Sequence, residues 1–462
     1  MGDDTGETTT TARLEAAPVR RWSTSDLFVL AAISAVAAAV RLFGVELWSL
    51  GPAEAVTWRA VTCPLDGSEH AFSSSPQVGY PLYFLMLREL LEQGLLPGNT
   101  EGWLRLPSAF AGGLVTPLVA LLARPLLGRA TGTLAALTVA VHPACVAASQ
   151  TASPEVFASA VALLAGVLAM RGWLVLGCLA VVVAGACHPL GWPAAAGLVL
   201  ATRPPRWLAE PQRGWLLVLA LASAPVLAEL CAGPVWTGVM LAVAAVWLRL
   251  PRARGLVLAA LLPLATAGLW WWWTPAVDRA ACVVATPVVA MLAAWSCVQF
   301  ARVVAPGLGL SRAVARLVAA APTVVLLGEL LTATFLYFAV YDGSRSAWRS
   351  ARTAVAAARA PGRDLVVVAG AGAGVMRTYL RPNHWRDMAQ DPHPGVVVEH
   401  LAYTRAAREE QARRDGVLFV LLPSELHALG DALGDLVVVD LWSGSKADGD
   451  ASLYVMRRRS GD

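Results

Sequence analysis

Charged residues are scarce in this chain of 462 amino acids. They make up 15% of it and apolar residues make up 57%, whereas a soluble domain carries about a quarter charged residues. The deficit is concentrated in residues 26–340, where long apolar runs recur between short polar breaks. Because a membrane span needs about 20 apolar residues, these runs exclude a soluble enzyme of this length and predict a polytopic membrane protein.

Lysine is also scarce, and the cysteines lack any recognisable spacing. Lys446 is the only lysine, and the formal net charge of +4 is too small to indicate nucleic-acid binding. The seven cysteines are scattered, without the CxxC or Cys/His spacing of a metal site or a disulfide framework. No small-residue cleavage site follows the first apolar run, so we expect a retained first helix rather than a signal peptide.

The apolar runs predict about eleven membrane-spanning helices. A polar tail, residues 1–25, precedes a predicted membrane domain at residues 26–340, which contains an external loop at residues 46–104. The predicted spans are 26–45, 105–123, 131–148, 153–170, 172–187, 188–201, 214–231, 234–249, 255–273, 279–300 and 318–340.

Arginines in the short loops predict the orientation, because cytoplasmic loops retain positive charge. The loops at 203–213, 249–254 and 302–316 are rich in arginine, and two predicted spans separate each loop from the next. All three are therefore predicted to be cytoplasmic, like the N-terminal tail, which leaves residues 341–462 outside. A crossing at residues 80–96 would reverse this order, so we expect that segment to lie flat as an amphipathic interfacial helix.

The pattern changes after about residue 341, where short β-branched runs alternate with helical stretches at 346–359 and 402–414. This alternation predicts a small soluble α/β domain over residues 341–462. The predicted strands are Leu365–Val368, Val396–Val398, Val417–Leu422, Leu436–Val439 and Leu453–Met456. The GAGAG sequence at 370–374 fits neither a dinucleotide fingerprint nor a P-loop, and we interpret it as a turn.

Several segments, in chain order, resemble motifs of one enzyme family. They are SLGPAEA at 49–55, YPLYFLMLREL at 80–90, RLPSAFAG at 105–112, HPACVAASQTASPEVFA at 142–158, DRAACVVATPVVAMLAA at 278–294 and AWRSARTAVAAARAPGRDLVVVAG at 347–370. In these segments the chain resembles the GT-C glycosyltransferases, specifically the family of protein O-mannosyltransferases and lipid A aminoarabinose transferases. RLPSAFAG is the most specific of the matches.

The resemblance implies a GT-C-like membrane domain and a sugar-transfer function. The expected donor is a polyprenyl-phosphate sugar, and the expected acceptor is an envelope molecule that the sequence does not identify. The reaction would take place on the extracytoplasmic side of the cytoplasmic membrane of a bacterium, with membrane lipid as a further partner. A divalent metal is compatible with this family, although nothing in the sequence requires one.

Five residues are candidates for the site. Glu54 matches the second acid of the family's acidic motif, which makes it a candidate catalytic base or metal-contacting acid, and Glu46 could substitute for it. Arg105 and Arg279 begin predicted helices on the external side, where a guanidinium could hold the donor phosphate. His188 falls at a predicted external turn. The alternatives are a solvated loop carboxylate, arginines that reach lipid headgroups, and a histidine that packs at a helix break.

Departures from the family pattern leave other functions open. Ala53 replaces the first acid of the motif, Gly79 replaces a basic residue, and Ser153 replaces the arginine of an Arg-Pro-Tyr triplet. Glu155, in the same triplet, is predicted to be a helix-start acid. A second hypothesis is therefore a catalytically degenerate relative that binds lipid-linked sugar or scaffolds envelope assembly. A third is a transporter, although we find none of the inverted repeats that transporters often show.

Overall fold

The structure is a computed structural model, and it describes only part of the chain. The described residues are 22–43, 45, 54–55, 57–58, 61, 82–95, 101–202, 261–263, 265–266, 283–304, 311–339, 348, 351, 355, 357, 365–370, 373, 375–376, 380, 396–402, 404–414, 417–426, 436–442 and 453–458. The predicted spans 214–231 and 234–249 lie outside them, as does most of 255–273.

Helices dominate the described residues before position 340. They are α1 (Thr24–Leu42), α2 (Leu82–Glu92), α3 (Glu101–Leu127), α4 (Arg129–Ala140), α5 (Pro143–Ser149), α6 (Pro154–Met170), α7 (Leu174–Cys187), α8 (Gly191–Thr202), α9 (Thr286–Gln299) and α10 (Arg312–Ala339), with a π-helical turn at Phe300–Val304. The residues described between 54 and 61 are also helical.

Among these helices, three are long and apolar enough to cross a membrane: Thr24–Leu42, Gly102–Leu127 and Arg312–Phe338. The pair α4 and α5 counts as a fourth if it forms one bent span. Helices α6, α7 and α8 are apolar but shorter. The described part of the chain is thus mostly helical with several apolar helices, as predicted, and the number of eleven spans remains a prediction.

The predicted span 131–148 is wrong as a single helix. Helix α4 ends at Ala140, α5 begins at Pro143, and the two are bent by 55°. Pro143 causes the break, because proline has no N–H to donate and disfavours helical geometry in the residue before it. Arg41 compensates: its guanidinium donates to the carbonyl oxygens of Ala140 at 3.0 Å and Val139 at 2.9 Å.

Small residues dominate the contacts between the membrane helices. The buried cluster formed by α3–α9 is rich in alanine, and small residues let helix backbones approach closely where no hydrophobic effect drives helix association. Gly166 of α6 is one such contact, because an added Cβ there would lie 3.2 Å from the Cβ of Leu198 in α8.

Helix α2 has the amphipathic character that the sequence predicted for residues 80–96. Tyr83, Phe84 and Leu87 are buried, whereas Glu89 and Glu92 are exposed. The helix has 11 residues and is therefore about 16 Å long at 1.5 Å per residue. That length is well short of the roughly 30 Å hydrocarbon core, so α2 cannot cross a bilayer by itself.

The C-terminal part contains a five-stranded sheet. Its strands are β1 (Leu365–Ala369), β2 (Val396–His400), β3 (Val417–Leu421), β4 (Leu436–Trp442) and β5 (Leu453–Arg458), with helices α11 (Arg405–Arg413) and α12 (Pro423–Leu426) between them. The order is β2-β1-β3-β5-β4, in which β2, β1 and β3 are parallel and β5 runs antiparallel to both β3 and β4. Each run predicted as a strand forms one.

One hydrophobic cluster, which we call the shared core, connects this sheet to the helices near residues 54–92. It contains Trp58, Tyr83 and Leu87, together with Trp348 and with Val367, which belongs to β1. Trp348 is only 1% exposed. The cluster also contains Ala55, next to Glu54, and Ala152, whose N–H donates to Glu54, so the sheet packs beside the candidate site.

Candidate functional site

A buried ion pair joins two of the predicted site residues. Arg105 Nε lies 2.7 Å from Glu54 Oε1 and Arg105 Nη2 lies 2.8 Å from Glu54 Oε2. Glu54 is 4% exposed and Arg105 is fully buried. Two parallel charge-assisted hydrogen bonds of this kind fix the orientation of a carboxylate as well as its position.

Further hydrogen bonds attach the pair to its surroundings. Arg105 Nη1 donates to the carbonyl oxygen of Val45 at 2.7 Å, and the backbone N–H of Ala152 donates to Glu54 Oε1 at 3.2 Å. The pair thus ties together the residues that follow α1, the segment around Glu54, the first turns of α3 and the residues before α6. A guanidinium engaged in this way holds the carboxylate in place, and the direct contact between Arg105 and a phosphate stays a prediction.

A second set of polar contacts begins on α2. Tyr83 Oη and Ser108 Oγ lie 2.7 Å apart, and the backbone N–H of Ser153 donates to Ser108 Oγ at 3.1 Å. Tyr83 and Ser108 are both fully buried. Burial raises the pKa of the Tyr83 hydroxyl, so this group stays protonated and acts as a hydrogen-bonding neutral side chain at physiological pH.

The same linker leads to an acid–histidine pair. Ser153 Oγ donates to Glu155 Oε2, and Glu155 Oε1 lies 3.7 Å from His188 Nε2. The backbone N–H of Leu190 donates to His188 Nδ1 at 3.2 Å. Because Nδ1 accepts that bond, the imidazole proton lies on Nε2, on the side that faces Glu155.

The structure therefore brings three of the five predicted residues to one end of the helix bundle. Glu54 contacts Arg105 directly, and His188 joins them through Glu155 of α6 and the two residues that precede the helix, Ala152 and Ser153. Arg279 and Glu46 lie outside the described residues. Within the part of the chain that is described, no group of three His, Cys, Asp or Glu side chains is arranged to hold a metal ion.

Sequence reasoning missed the roles of Tyr83, Ser108 and Glu155. Tyr83 and Ser108 each lie within a segment that resembles the family, YPLY and RLPS, and this was the available signal. Glu155 does lie in the first turn of α6, as predicted for a helix-start acid. Its contact with His188 could not be read from the sequence, because the histidine belongs to the turn between α7 and α8.

Comparisons with known proteins show the fold. No protein-family model matches the chain, and no curated protein matches it. ArnT from Cupriavidus metallidurans in the apo state is 15% identical, with 94% of this chain and 98% of that chain covered and a TM-score of 0.50. ArnT from the same organism bound to undecaprenyl phosphate gives the same identity and coverage, with a TM-score of 0.48. The archaeal oligosaccharyltransferase AglB from Archaeoglobus fulgidus, in complex with an inhibitory peptide and a dolichol-phosphate, is 16% identical, with 69% of this chain and 40% of that chain covered and a TM-score of 0.27.

The apo ArnT comparison spans nearly all of both chains, so the chain has the fold of ArnT. The GT-C-like fold that the sequence motifs implied is thereby confirmed. At 15% identity the likeness concerns the fold alone, and the function rests on the residues of the site.

Proposed function

We propose that this protein is a membrane glycosyltransferase that moves a sugar from a polyprenyl-phosphate donor to an envelope acceptor on the extracytoplasmic side. The buried Glu54–Arg105 pair carries the proposal. It joins SLGPAEA at 49–55 to RLPSAFAG at 105–112, two segments that resemble the family independently of each other. Their contact in space, on a fold shared with ArnT, supports a site built like those of the family.

In this proposal Glu54 is the catalytic carboxylate and Arg105 is its positioning residue. Sugar transfer needs a base that accepts the proton of the acceptor, and a base must lie within hydrogen-bond reach of that proton. The fork from Arg105 holds the carboxylate ionised and in one orientation. Glu155 and His188 provide a second acid and an imidazole within the same polar network.

The donor phosphate requires positive charge elsewhere, because Arg105 already donates to Glu54 and Val45. We assign this role to Arg279, whose segment resembles the start of a family helix, and we keep Glu46 as an alternative acid. A divalent metal at Glu54 would need further ligands from residues outside the described ranges.

The proposed orientation places residues 46–104 and 341–462 on the extracytoplasmic side. The shared core supports this, because Trp58 and Tyr83 from the first range are buried together with Trp348 and Val367 from the second. Two segments that share one hydrophobic core lie on one side of a membrane. The arginine-rich loops between the spans support the cytoplasmic assignment of the opposite side.

A second candidate function is a non-catalytic protein that binds lipid-linked sugar. Two observations favour it: Ala53 stands where the family has its first acid, and Glu54 accepts hydrogen bonds from both Arg105 and Ala152. A carboxylate stabilised by several donors is a weaker base. The two candidates make different predictions for turnover.

The test is turnover of the donor by full-length protein in detergent. Purified wild type, Glu54→Gln and the matched control Glu92→Gln are offered polyprenyl-phosphate sugars, and sugar release or transfer is measured. Glu92 is an exposed acid of α2, so the control makes the same chemical change away from the site. We expect an active wild type, a control close to it, and a Glu54→Gln variant that is about 10²–10⁴-fold slower.

Size-exclusion chromatography and thermal unfolding show whether each variant is folded, since Glu54→Gln also disturbs the buried pair. Equal turnover by folded wild type and Glu54→Gln would contradict the assignment of Glu54. Donor binding without turnover in wild type would favour the binding protein over the transferase.

A further inference from the structure

A shallow cleft lies between the start of α1, the end of α3 and the start of α4. We call it the Asp26 cleft. Along α3, Arg124 at this cleft is separated from Arg105 at the candidate site by about 28 Å, at 1.5 Å per residue. That distance is close to the roughly 30 Å thickness of the hydrocarbon core. The Asp26 cleft and the candidate site therefore lie near opposite faces of the membrane.

Two arginines contact the aspartate of the Asp26 cleft: Arg124 lines the cleft, and Arg129 lies beside it. Asp26 Oδ2 lies 2.6 Å from Arg124 Nη2, and Asp26 Oδ1 lies 2.6 Å from Arg129 Nε. The Arg124 guanidinium also stacks over the Trp22 ring at 4.0 Å from its centroid. One carboxylate cannot neutralise two guanidinium groups, so among the described residues this cluster of three side chains carries one net positive charge.

Arg129 is the part of this cluster that can receive a ligand. Its side chain is 62% exposed, whereas those of Arg124 and Asp26 are 12% and 5% exposed. Among the described residues, only its Nε makes a polar contact, so both terminal nitrogens can still donate. Two adjacent guanidinium N–H groups suit the oxygens of a phosphate.

The walls of the Asp26 cleft become apolar towards the membrane interior. Val29 and Ile33 line it about one and two turns further along α1 than Asp26, and Ala136 of α4 lines the facing side. Val29 is 41% exposed. A positive mouth followed by an apolar wall matches a phospholipid, whose phosphate lies at the membrane surface and whose acyl chain extends into the hydrocarbon.

We propose that the Asp26 cleft binds an anionic phospholipid, with the phosphodiester on Arg129 and an acyl chain along Val29 and Ile33. By the predicted orientation, this lipid belongs to the cytoplasmic leaflet, whose anionic lipids attract basic residues near the surface. The site is separate from the proposed transfer reaction and does not depend on it.

The test compares lipids by native mass spectrometry of the full-length protein released from detergent. Phosphatidylglycerol and phosphatidylcholine with identical acyl chains are titrated against wild type and three variants. Arg129→Gln removes the guanidinium and its charge at an exposed position, and Val29→Trp fills the apolar wall without changing charge. Arg171→Gln is the matched control, because Arg171 is an exposed arginine at the same end of the bundle, after α6.

We expect wild type to bind phosphatidylglycerol more tightly than phosphatidylcholine. Arg129→Gln should weaken phosphatidylglycerol binding about fivefold, the loss expected when one arginine no longer faces an anionic lipid. Val29→Trp should weaken binding of both lipids, and Arg171→Gln should change neither. Equal losses in Arg129→Gln and Arg171→Gln would indicate diffuse attraction and overturn the proposal, as would equal binding of the two lipids.

A thermal-shift arm with inorganic phosphate separates a lipid site from a small-anion site. We expect phosphatidylglycerol to raise the unfolding temperature of wild type more than of Arg129→Gln, and inorganic phosphate to have little effect on either. An equal stabilisation by inorganic phosphate would show that the acyl chain contributes nothing and would contradict a lipid as the occupant.

Discussion

Removing one partner of the Glu54–Arg105 pair should destabilise the protein at least as much as removing both partners together. Each single substitution, Glu54→Gln or Arg105→Gln, leaves the other charge buried, since both residues are at most 4% exposed. Breaking a buried pair in this way typically costs about 3–5 kcal/mol.

In the double variant both charges are gone, and the two introduced amides can hydrogen-bond to each other and to the neighbouring backbone. The amide nitrogen at position 105 lies near the native Nε and can donate to the amide oxygen at position 54, which can also accept from the N–H of Ala152. The native side chains make these two contacts at 2.7 and 3.2 Å. We therefore expect the double variant to be no less stable than either single variant. The resulting coupling free energy should be about 3 kcal/mol, at the upper end for residues in contact.

The assay is a double-mutant cycle on the free energy of unfolding in mixed micelles. The matched control is the cycle on Arg88 and Glu92, an ion pair on α2 with the same 2.7 Å separation but side chains that are 25% and 55% exposed. Exposed helix pairs of this spacing couple by only about 0.3–0.5 kcal/mol. A coupling free energy at Glu54–Arg105 as small as that of the control pair would refute the argument that burial makes this pair a large contributor to stability.

Two further predictions concern packing and pH. Gly112→Ala should destabilise the protein by about 1–3 kcal/mol, because the added methyl would overlap Ser149. The control Gly113→Ala should be nearly neutral, since nothing lies within 4 Å of the new Cβ. Equal unfolding temperatures of the two variants would contradict this prediction. Arg414→Ala should cost about 0.2–1 kcal/mol at neutral pH, because Arg414 donates to Glu399 and thereby lowers the pKa of that carboxyl. This stabilisation is present above the pKa of Glu399 in the unfolded chain and is lost as the pH falls through the lower pKa of the folded state. The unfolding curves of wild type and Arg414→Ala should therefore converge in acid. A difference in stability that stays constant at all pH values would contradict the linkage.

Most of the secondary structure could be predicted because it follows from local patterns. The β-branched runs at 365, 396, 417, 436 and 453 all form strands, and the charged residues of 80–96 indicated the amphipathic α2. The break between α4 and α5 was missed even though Pro143 marks it, because hydropathy continues unchanged through the break. The compensating contact from Arg41 is also non-local, and no periodicity reveals it.

The sequence predicted which end of the helix bundle holds the candidate site, but not the contacts within the site. Glu54, Arg105 and His188 were expected at one end of the bundle because the order of spans and loops places them there. Their contacts depend on how the segment around Glu54 packs on α3, which the sequence does not specify. The ion pair between Arg105 and Glu54 and the contact between Glu155 and His188 therefore emerged only from the structure.

The position of a bound donor tests the central claim most directly. Cryo-electron microscopy of the full-length protein with a polyprenyl-phosphate sugar would locate the sugar relative to the Glu54 carboxylate. If Glu54 acts as the base, the anomeric carbon should lie within roughly 6 Å of it, which leaves space for an acceptor oxygen in hydrogen-bond contact with the carboxylate. A donor bound with its sugar more than roughly 10 Å from Glu54, beyond the reach of one intervening oxygen, would contradict the account.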